Sequence, residues 1–352
     1  MKVDNTGNGE KMRRMQNMRD TDKGKRSFVK LLYIMLSIVV AFLILYGLYL
    51  ILKGTEPKTV SSDALSSMVT DNIDVEVTTE PFMEDIEYPS VPDDAKVFDK
   101  TIASKFCVLL DLQSNKVIAQ RDAEKRMYPA SMTKVMTLIV AVENMQSLSD
   151  TFVMTGDIIA PLVDENASMA GFQPGEEITM EDLLYGAILP SGADATAGIA
   201  MKISGSEEGF VELMNEKAKQ LGLHDTHFMN TSGLQDEDHY MTALDMAVIL
   251  NYAINNDICR KVLSTYQYTT SKTKEHPDGI PLESTLFSRM YGDEVEGVII
   301  EGGKTGYTDE AQHTMASFAK KGDNEYIAVV AHEDDKWGSV YDTFDIYEKY
   351  LD

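Results

Sequence analysis

The sequence predicts an α/β sandwich in which an antiparallel sheet, formed from N- and C-terminal strands, packs against a large helical insert. Two observations lead to this prediction. Strand-like segments lie at both ends of residues 100–352, and helical segments fill the middle. Because a sheet must bury its apolar face, the two terminal groups of strands can join in one sheet that the helices cover.

The strand signals are clear at both ends of this region. Residues 106–111 and 117–119, with a polar turn between them, are typical of a β-hairpin. Further strands are predicted near the C-terminus over residues 298–300, 314–318 and 326–331.

Helical periodicity accounts for the middle of the chain and for its last stretch. The predicted helices of the insert are residues 132–145, 180–189, 194–203, 207–221 and 242–255. A final amphipathic helix over residues 340–351 can cover the other face of the sheet.

The N-terminal part of the chain predicts a membrane anchor. Residues 31–52 carry no charge, and about 20 apolar residues in a helix cross the hydrocarbon core of a bilayer. Residues 1–30 hold nine Lys or Arg against four acids, and basic flanks stay cytoplasmic. A cleavable signal peptide is the alternative, but this apolar run is longer than usual and no A-x-A site follows it. We therefore expect one uncleaved transmembrane helix, with the C-terminal bulk of the chain outside the cell membrane.

Four regions follow from these signals: a cytoplasmic basic tail over residues 1–30, the transmembrane anchor over 31–52, an acidic flexible linker over 53–99, and an ordered domain over 100–352. The whole chain has a net charge of −25, although its first 30 residues are basic. Such an acidic domain excludes nucleic acid as an expected partner.

Ser131 and Lys134 form an S-x-x-K pattern at the start of a predicted helix, directly after Pro129. Residues three apart share a helix face, so the Lys134 amine can approach the Ser131 hydroxyl. A hydroxyl needs a nearby base to act as a nucleophile, and an amine is such a base when burial or a second cation lowers its pKa. Only this copy of the pattern lies at a predicted helix start. The same spacing also occurs at Ser27, Ser271 and Ser317.

A K-T-G pattern lies on a late predicted strand, at Lys304, Thr305 and Gly306. The lysine and the threonine offer a cation and a hydroxyl to a carboxylate, and Gly306 lets a substrate backbone approach the strand. S-x-x-K at a helix start followed by K-T-G on a strand is the known signature of penicillin-binding enzymes.

Together with further segments, these motifs resemble the low-molecular-mass penicillin-binding proteins of the D-alanyl-D-alanine carboxypeptidase family, which are serine peptidases. The resemblance covers roughly residues 100–352. It implies the penicillin-binding/β-lactamase-like transpeptidase fold, peptidoglycan stem peptides ending in D-Ala-D-Ala as substrate, covalent capture by β-lactams, and no cofactor or metal. The similar segments are residues 129–134, 183–192, 226–230, 233–234, 239–247 and 303–308.

Residue by residue, the resemblance implies Ser131 as the nucleophile, Lys134 as its general base and Ser191 as the relay of a proton to the leaving group. Lys304 and Thr305 would hold the terminal carboxylate, and the backbone N–H groups of Ser131 and Tyr307 would form the oxyanion hole. The substrate-binding residues implied are Lys304, Thr305, Gly306 and Tyr307.

The chain departs from the family pattern in its middle motif. The family usually has S-x-N, whereas this chain has Ser191, Gly192 and Ala193, and Ala193 cannot replace the hydrogen bonds of an asparagine. Losing one polar contact costs about 1 to 3 kcal/mol, or roughly tenfold to a hundredfold in rate. We expect weakened activity, because Ser131, Lys134 and Lys304 remain. The alternative is a non-catalytic protein of the same fold that binds wall peptides or regulates their processing.

A second departure follows the K-T-G strand, where this chain has Ala311, Gln312 and His313 and relatives more often have a glycine. The sequence does not distinguish trimming of stem peptides from their cross-linking or endo-cleavage, since all three reactions pass through one acyl-enzyme.

Two other kinds of site are weaker alternatives. His224 and His227 have an H-x-x-H spacing, but no third zinc ligand stands near them, so we expect structural histidines. A serine β-lactamase needs an added base for deacylation, and residues 162–174 offer only Asp164, Glu165 and Asn166.

Overall fold

The computed structural model of the protein describes residues 87–290 and 295–351. The strands of this part are β1 (Lys96–Val97), β2 (Phe106–Asp111), β3 (Lys116–Arg121), β4 (Thr151–Val153), β5 (Glu177–Thr179), β6 (Gln267–Thr269), β7 (Pro281–Glu283), β8 (Ile299–Thr308), β9 (Gln312–Lys321) and β10 (Asn324–Glu333). The helices are α1 (Lys134–Asn144), α2 (Gly156–Asp164), α3 (Met180–Ile188), α4 (Ala193–Ser204), α5 (Glu207–Gln220), α6 (Ala243–Ile254), α7 (Asp257–Leu263), α8 (Phe287–Met290) and α9 (Lys336–Tyr350).

Six strands form the main sheet in the order β1-β3-β2-β10-β9-β8. The predicted joining of N- and C-terminal strands is confirmed, because β2 pairs with β10 along its whole length. The sheet is mixed rather than wholly antiparallel, since the short β1 runs parallel to β3 at the edge. The connection from β1 through the β2–β3 hairpin brings the chain back beside β1 in the same direction.

Both faces of the sheet are covered, because successive side chains of a strand point to opposite faces. Val108 and Leu110 of β2 belong to the large core cluster that the insert helices complete. Leu109, between them, is fully buried outside that cluster. The opposite face is covered by α9, where the Tyr347 hydroxyl lies 2.9 Å from Ser317 Oγ of β9.

The five predicted helices of the insert are present within about two residues at each end. Several elements of the insert escaped sequence reasoning for a physical reason. Helix α2 has no fully buried residue and contains Pro161, and a proline inside a segment argues against a helix when only the sequence is read. Helix α7 and the three-residue strands of the β4–β5 and β6–β7 hairpins are too short to show a period.

The described fold also begins earlier than the predicted boundary at residue 100. Residues 87–99 fall in the predicted flexible linker, yet the Tyr88 hydroxyl donates to Asp245 Oδ1 at 2.7 Å and the Phe98 side chain is buried. The local acidic composition hides these aromatic contacts, which only the tertiary structure supplies. The predicted anchor over residues 31–52 lies outside the described residues, and no helix within residues 87–290 and 295–351 is long and apolar enough to cross a membrane.

Candidate active site

The predicted nucleophile, Ser131, lies in a single 3₁₀ turn over Ala130–Thr133 that leads directly into α1. Ala130 has a φ of 47°, so the chain turns sharply just before the serine. Lys134 is the first residue of α1, and its Nζ lies 3.0 Å from Ser131 Oγ. The S-x-x-K spacing therefore brings the amine within the distance that proton transfer from the hydroxyl requires.

Burial changes the acid strength of Lys134. Its side chain is 2% exposed. This burial lowers its pKa to about 7, although Asp194 acts in the opposite direction. A large fraction of Lys134 is therefore the free amine at neutral pH, which is the form that accepts a proton.

A turn on the opposite side of the amine holds it in place. Lys134 Nζ also donates to the carbonyl of Ser232. The Asn230 side chain shapes this turn, because its Oδ1 accepts a hydrogen bond from the N–H of Gly233 at 2.7 Å. Gly233 has a φ of 82°, and an added Cβ would lie 1.9 Å from the Ala130 carbonyl oxygen. Only glycine lets the turn pack this closely against the nucleophile.

The K-T-G residues lie on β8, the edge strand of the main sheet. Lys304 is buried, and its Nζ donates to Ser191 Oγ at 3.0 Å and to the Thr305 carbonyl at 2.8 Å. Burial, together with the nearby Lys134 and Arg289 cations, holds the pKa of Lys304 well below its ordinary value. A Cβ on Gly306 would lie 2.8 Å from the Ser131 nitrogen, so its absence lets β8 approach the N–H of the nucleophile.

These elements enclose one cavity of about 350 Å³. Six of the seven site residues predicted from the sequence line it: Ser131, Lys134, Ser191, Thr305, Gly306 and Tyr307. The seventh, Lys304, lies behind the wall, where its ammonium group contacts Ser191.

The middle motif connects the site to the loop after α2. Ser191 has a φ of 68°, and Ala193, the first residue of α4, lines the cavity. The adjacent Asp194 does not replace the missing asparagine. Its carboxylate points away and accepts hydrogen bonds from the N–H groups of Ala170 at 2.7 Å and Gly171 at 3.0 Å.

Among the polar residues of the cavity wall to which sequence reasoning gave no role are Thr285, Arg289 and His313. Thr285 Oγ1 lies 2.9 Å from Thr305 Oγ1. Arg289 comes from the short helix α8, and its Nη1 is buried without a hydrogen-bond partner in the described part of the chain. Burial lowers the pKa of Arg289. No local pattern marks these residues, because only folding brings α8 and β9 to the K-T-G strand.

The second sequence departure lies in the turn between β8 and β9. Gln312 has a φ of 54°, which is the left-handed conformation that glycine adopts most easily. The turn thus keeps a glycine-like backbone with a different side chain. His313 follows it, and its ring stacks on Tyr307 with 4.4 Å between the ring centroids.

The alternative sites receive no support from the described residues. His224 stacks on Tyr88, while His227 Nδ1 contacts the Asp238 carbonyl at 2.7 Å, so the two rings have different partners. Within residues 87–290 and 295–351 no group of three or more His, Cys, Asp or Glu is arranged to hold a metal ion. Of the three candidate deacylation residues, only Asn166 lines the cavity.

A comparison with known protein families identifies one family whose members match most of this chain. Residues 93–335 match the D-alanyl-D-alanine carboxypeptidase family of peptidases. The D-alanyl-D-alanine carboxypeptidase DacF of Bacillus subtilis is 36% identical over 231 residues, which cover 64% of this chain and 57% of the relative. DacC of Escherichia coli is 31% identical over 237 residues, which cover 65% of this chain and 56% of the relative. The chain thus spans less than two thirds of the length of these curated relatives.

Solved structures of penicillin-binding enzymes share the fold. The Streptomyces K15 DD-transpeptidase superimposes with a TM-score of 0.63 at 28% identity, covering 70% of this chain and 96% of that chain. Penicillin binding protein 5 from Haemophilus influenzae gives a TM-score of 0.62 at 27% identity, covering 70% of each chain.

Proposed function

The chain belongs to the D-alanyl-D-alanine carboxypeptidase family, and we propose that it is a serine D,D-carboxypeptidase that removes the terminal D-Ala from peptidoglycan stem peptides. The observation that supports this most is the 3.0 Å contact between Lys134 Nζ and Ser131 Oγ, made by a buried lysine whose pKa is about 7. A structural lysine has no need of a lowered pKa beside a serine, whereas a general base does.

In the first step, Ser131 Oγ bonds to the carbonyl carbon of the penultimate D-Ala while the Lys134 amine takes the hydroxyl proton. The oxyanion that forms is stabilised by the backbone N–H groups of Ser131 and Tyr307. The close packing of Gly306 against the Ser131 nitrogen supports this arrangement, because it brings β8, which carries Tyr307, next to the turn that carries Ser131.

In the second step, the carbon–nitrogen bond breaks and the departing amine of D-Ala needs a proton. Ser191 passes it from Lys134, and Lys304 orients the Ser191 hydroxyl from behind at 3.0 Å. Water then attacks the ester carbonyl while Lys134 accepts a proton from it. The bond between the acyl carbon and Ser131 Oγ breaks, Lys134 returns the proton to Oγ, and the released peptide is one D-Ala shorter.

We assign recognition of the substrate carboxylate to Thr305 and Arg289, in place of the predicted pair of Thr305 and Lys304, because Lys304 lies behind the cavity wall against Ser191. Thr305 offers a hydroxyl that already contacts Thr285, and Arg289 offers a buried guanidinium nitrogen that has no hydrogen-bond partner among the described residues. A planar guanidinium suits a carboxylate, so this pair favours a ligand with a free C-terminus.

The test is intact-mass spectrometry of the full chain after incubation with benzylpenicillin, with Ser131→Ala as the control. One stable adduct on the native chain and none on the variant supports an acyl-enzyme at Ser131. Release of D-Ala from a D-Ala-D-Ala peptide then tests the substrate. A chain that binds the peptide but forms no adduct is instead the non-catalytic binding protein that Ala193 raises as the alternative.

We further propose that residues 31–52 anchor the protein in the cell membrane, with the enzyme domain on the outer side. The support is the uncharged apolar run and the basic residues before it. Protease treatment of intact cells is expected to remove the domain and leave the N-terminal tail. Protection of the domain in intact cells would exclude this orientation.

A further inference from the structure

Two residues of the Ser131 cavity each have a buried nitrogen atom without a hydrogen-bond partner among the described residues. Among the described residues, Arg289 Nη1 and His313 Nδ1 are the buried side-chain polar atoms without a hydrogen-bond partner. Both residues line the cavity that holds Ser131. Leaving a buried polar atom unpaired is destabilising, so two such atoms in residues that line one cavity indicate that a ligand pairs with them.

The His313 ring is fixed by its neighbours. His313 on β9 stands opposite Tyr307 on β8, and the two rings stack at 28° with 4.4 Å between their centroids. The Tyr307 hydroxyl donates to Asp309 Oδ1 at 2.8 Å, and this hydrogen bond restrains the Tyr307 ring. The stack therefore holds the imidazole in place, with Nδ1 buried and without a hydrogen-bond partner among the described residues.

The charges around His313 favour an anion. Burial lowers the pKa of His313, and the Arg289 and Lys336 cations lower it further, while Asp335 acts in the opposite direction. The ring is thus neutral at pH 7 and, in one tautomer, has an N–H at Nδ1. A guanidinium and an imidazole N–H at one wall both pair with a carboxylate oxygen.

We propose that His313 is a specificity-determining residue that donates a hydrogen bond from Nδ1 to the C-terminal carboxylate of the substrate, beside Arg289. This inference rests on the proposed carboxypeptidase function and assigns a role to a residue outside the S-x-x-K, S-G-A and K-T-G motifs. It also predicts coupling to protons. A bound carboxylate favours the charged imidazolium, so binding takes up a proton and strengthens as the pH falls.

The test compares peptides that end in D-Ala-D-Ala with the same peptides ending in a carboxamide. In His313→Phe, which keeps a ring against Tyr307 but has no donor, we expect kcat/KM for the acid peptide to fall roughly tenfold, mainly through KM. The carboxamide peptide should be hydrolysed at an unchanged rate. In His313→Asn, which keeps a donor near the place of Nδ1, most of the loss should be restored.

A pH profile distinguishes this role from a structural one. For the native chain, the preference for the acid over the carboxamide peptide should increase between pH 7.5 and 5.5, and both His313 variants should lose this increase. His224→Asn is the matched control, because His224 stacks on Tyr88 and does not line the cavity. Equal losses on both peptides, or no loss on either, would overturn the proposal.

The proposal can fail separately from the proposed function. Calorimetry in a Ser131→Ala background measures binding of the two peptides without any catalysis, and His313→Phe should weaken only the binding of the acid. Thermal unfolding of each variant confirms that it is folded. The outcome that separates the two proposals has two parts: penicillin forms the Ser131 adduct, but His313→Phe does not weaken binding of the acid peptide in the Ser131→Ala background. In that case the enzyme function stands and the role of His313 is wrong.

Discussion

The ammonium group of Lys304 lies 3.0 Å from the hydroxyl of Ser191, across 113 residues of sequence. This contact joins the K-T-G strand to the middle motif and fixes the Ser191 hydroxyl within the cavity that also holds Ser131 and Lys134. The site is thus an interlocked set of groups, and a change at one position has consequences at another.

The rate of acylation is expected to follow the titration of Lys134. Because the amine is the proton acceptor and its pKa is about 7, the second-order rate constant with benzylpenicillin should rise as the pH increases from 5.5 and level off above about 8. Stopped-flow measurement of acylation across this range checks the prediction. A rate that is flat through pH 7 would show that Lys134 is not the base.

The same shift affects stability in a defined direction. An unfolded lysine keeps its proton up to its ordinary pKa of 10.5, whereas folded Lys134 loses it near 7, so the unfolded state binds more protons between these values. The titration of Lys134 should therefore increase the free energy of unfolding as the pH rises from 7 to 10. Urea unfolding at pH 7 and 9 measures the gain. Lys134→Met should show a smaller pH dependence than the native chain.

Ala193→Asn is expected to increase D,D-carboxypeptidase activity. The new amide would stand at a position that lines the cavity beside Ser191, where it supplies a polar contact that the chain lacks. We expect kcat/KM for D-Ala release to rise about tenfold, which corresponds to one gained hydrogen bond. Ala193→Leu is the matched control, because it adds similar volume without an amide. An equal response of both variants would assign the effect to volume alone.

Ser191→Ala is expected to slow acylation by roughly a hundredfold, because the leaving group loses its proton relay. The variant also leaves the buried Lys304 ammonium group with one contact fewer. Release of D-Ala and acylation by benzylpenicillin should both decline, while the Ser131 adduct still forms over long incubations. An unchanged rate would remove Ser191 from the mechanism.

Gly233→Ala is expected to damage both stability and activity. Its φ of 82° and the 1.9 Å approach of an added Cβ to the Ala130 carbonyl would displace the turn that carries Ser131. Gly222→Ala is a close control, since Gly222 also has a positive φ, of 66°, but an added Cβ there meets nothing within 4 Å. We expect about 1 to 2 kcal/mol of destabilisation in the control, from backbone strain alone, and a larger loss in Gly233→Ala. Urea unfolding and penicillin acylation measure the two effects.

The chemistry of the site could be predicted because it depends on short local patterns. The spacing of Ser131 and Lys134 predicts that both side chains lie on one helix face. The K-T-G residues indicate a strand that a substrate can approach closely. The order of strands and helices likewise follows from local periodicity, which is why the joining of the two chain ends in one sheet was predictable.

Other features had no local signal. The edge strand β1 runs parallel to β3. The Tyr88 hydroxyl donates to Asp245. The acidic composition around both segments gives no sign of these contacts. Arg289 enters the cavity from a four-residue helix, a length at which no periodic pattern exists.

The sequence by itself determined which residues are the candidates for the chemistry of this protein, because Ser131, Lys134 and the K-T-G strand each have a local pattern. The tertiary structure alone decided the state of those groups. Burial lowers the pKa of Lys134, Ser191 pairs with Lys304, and Arg289 and His313 complete the wall. Desolvation and pairing arise from segments distant in sequence that meet only when the chain folds.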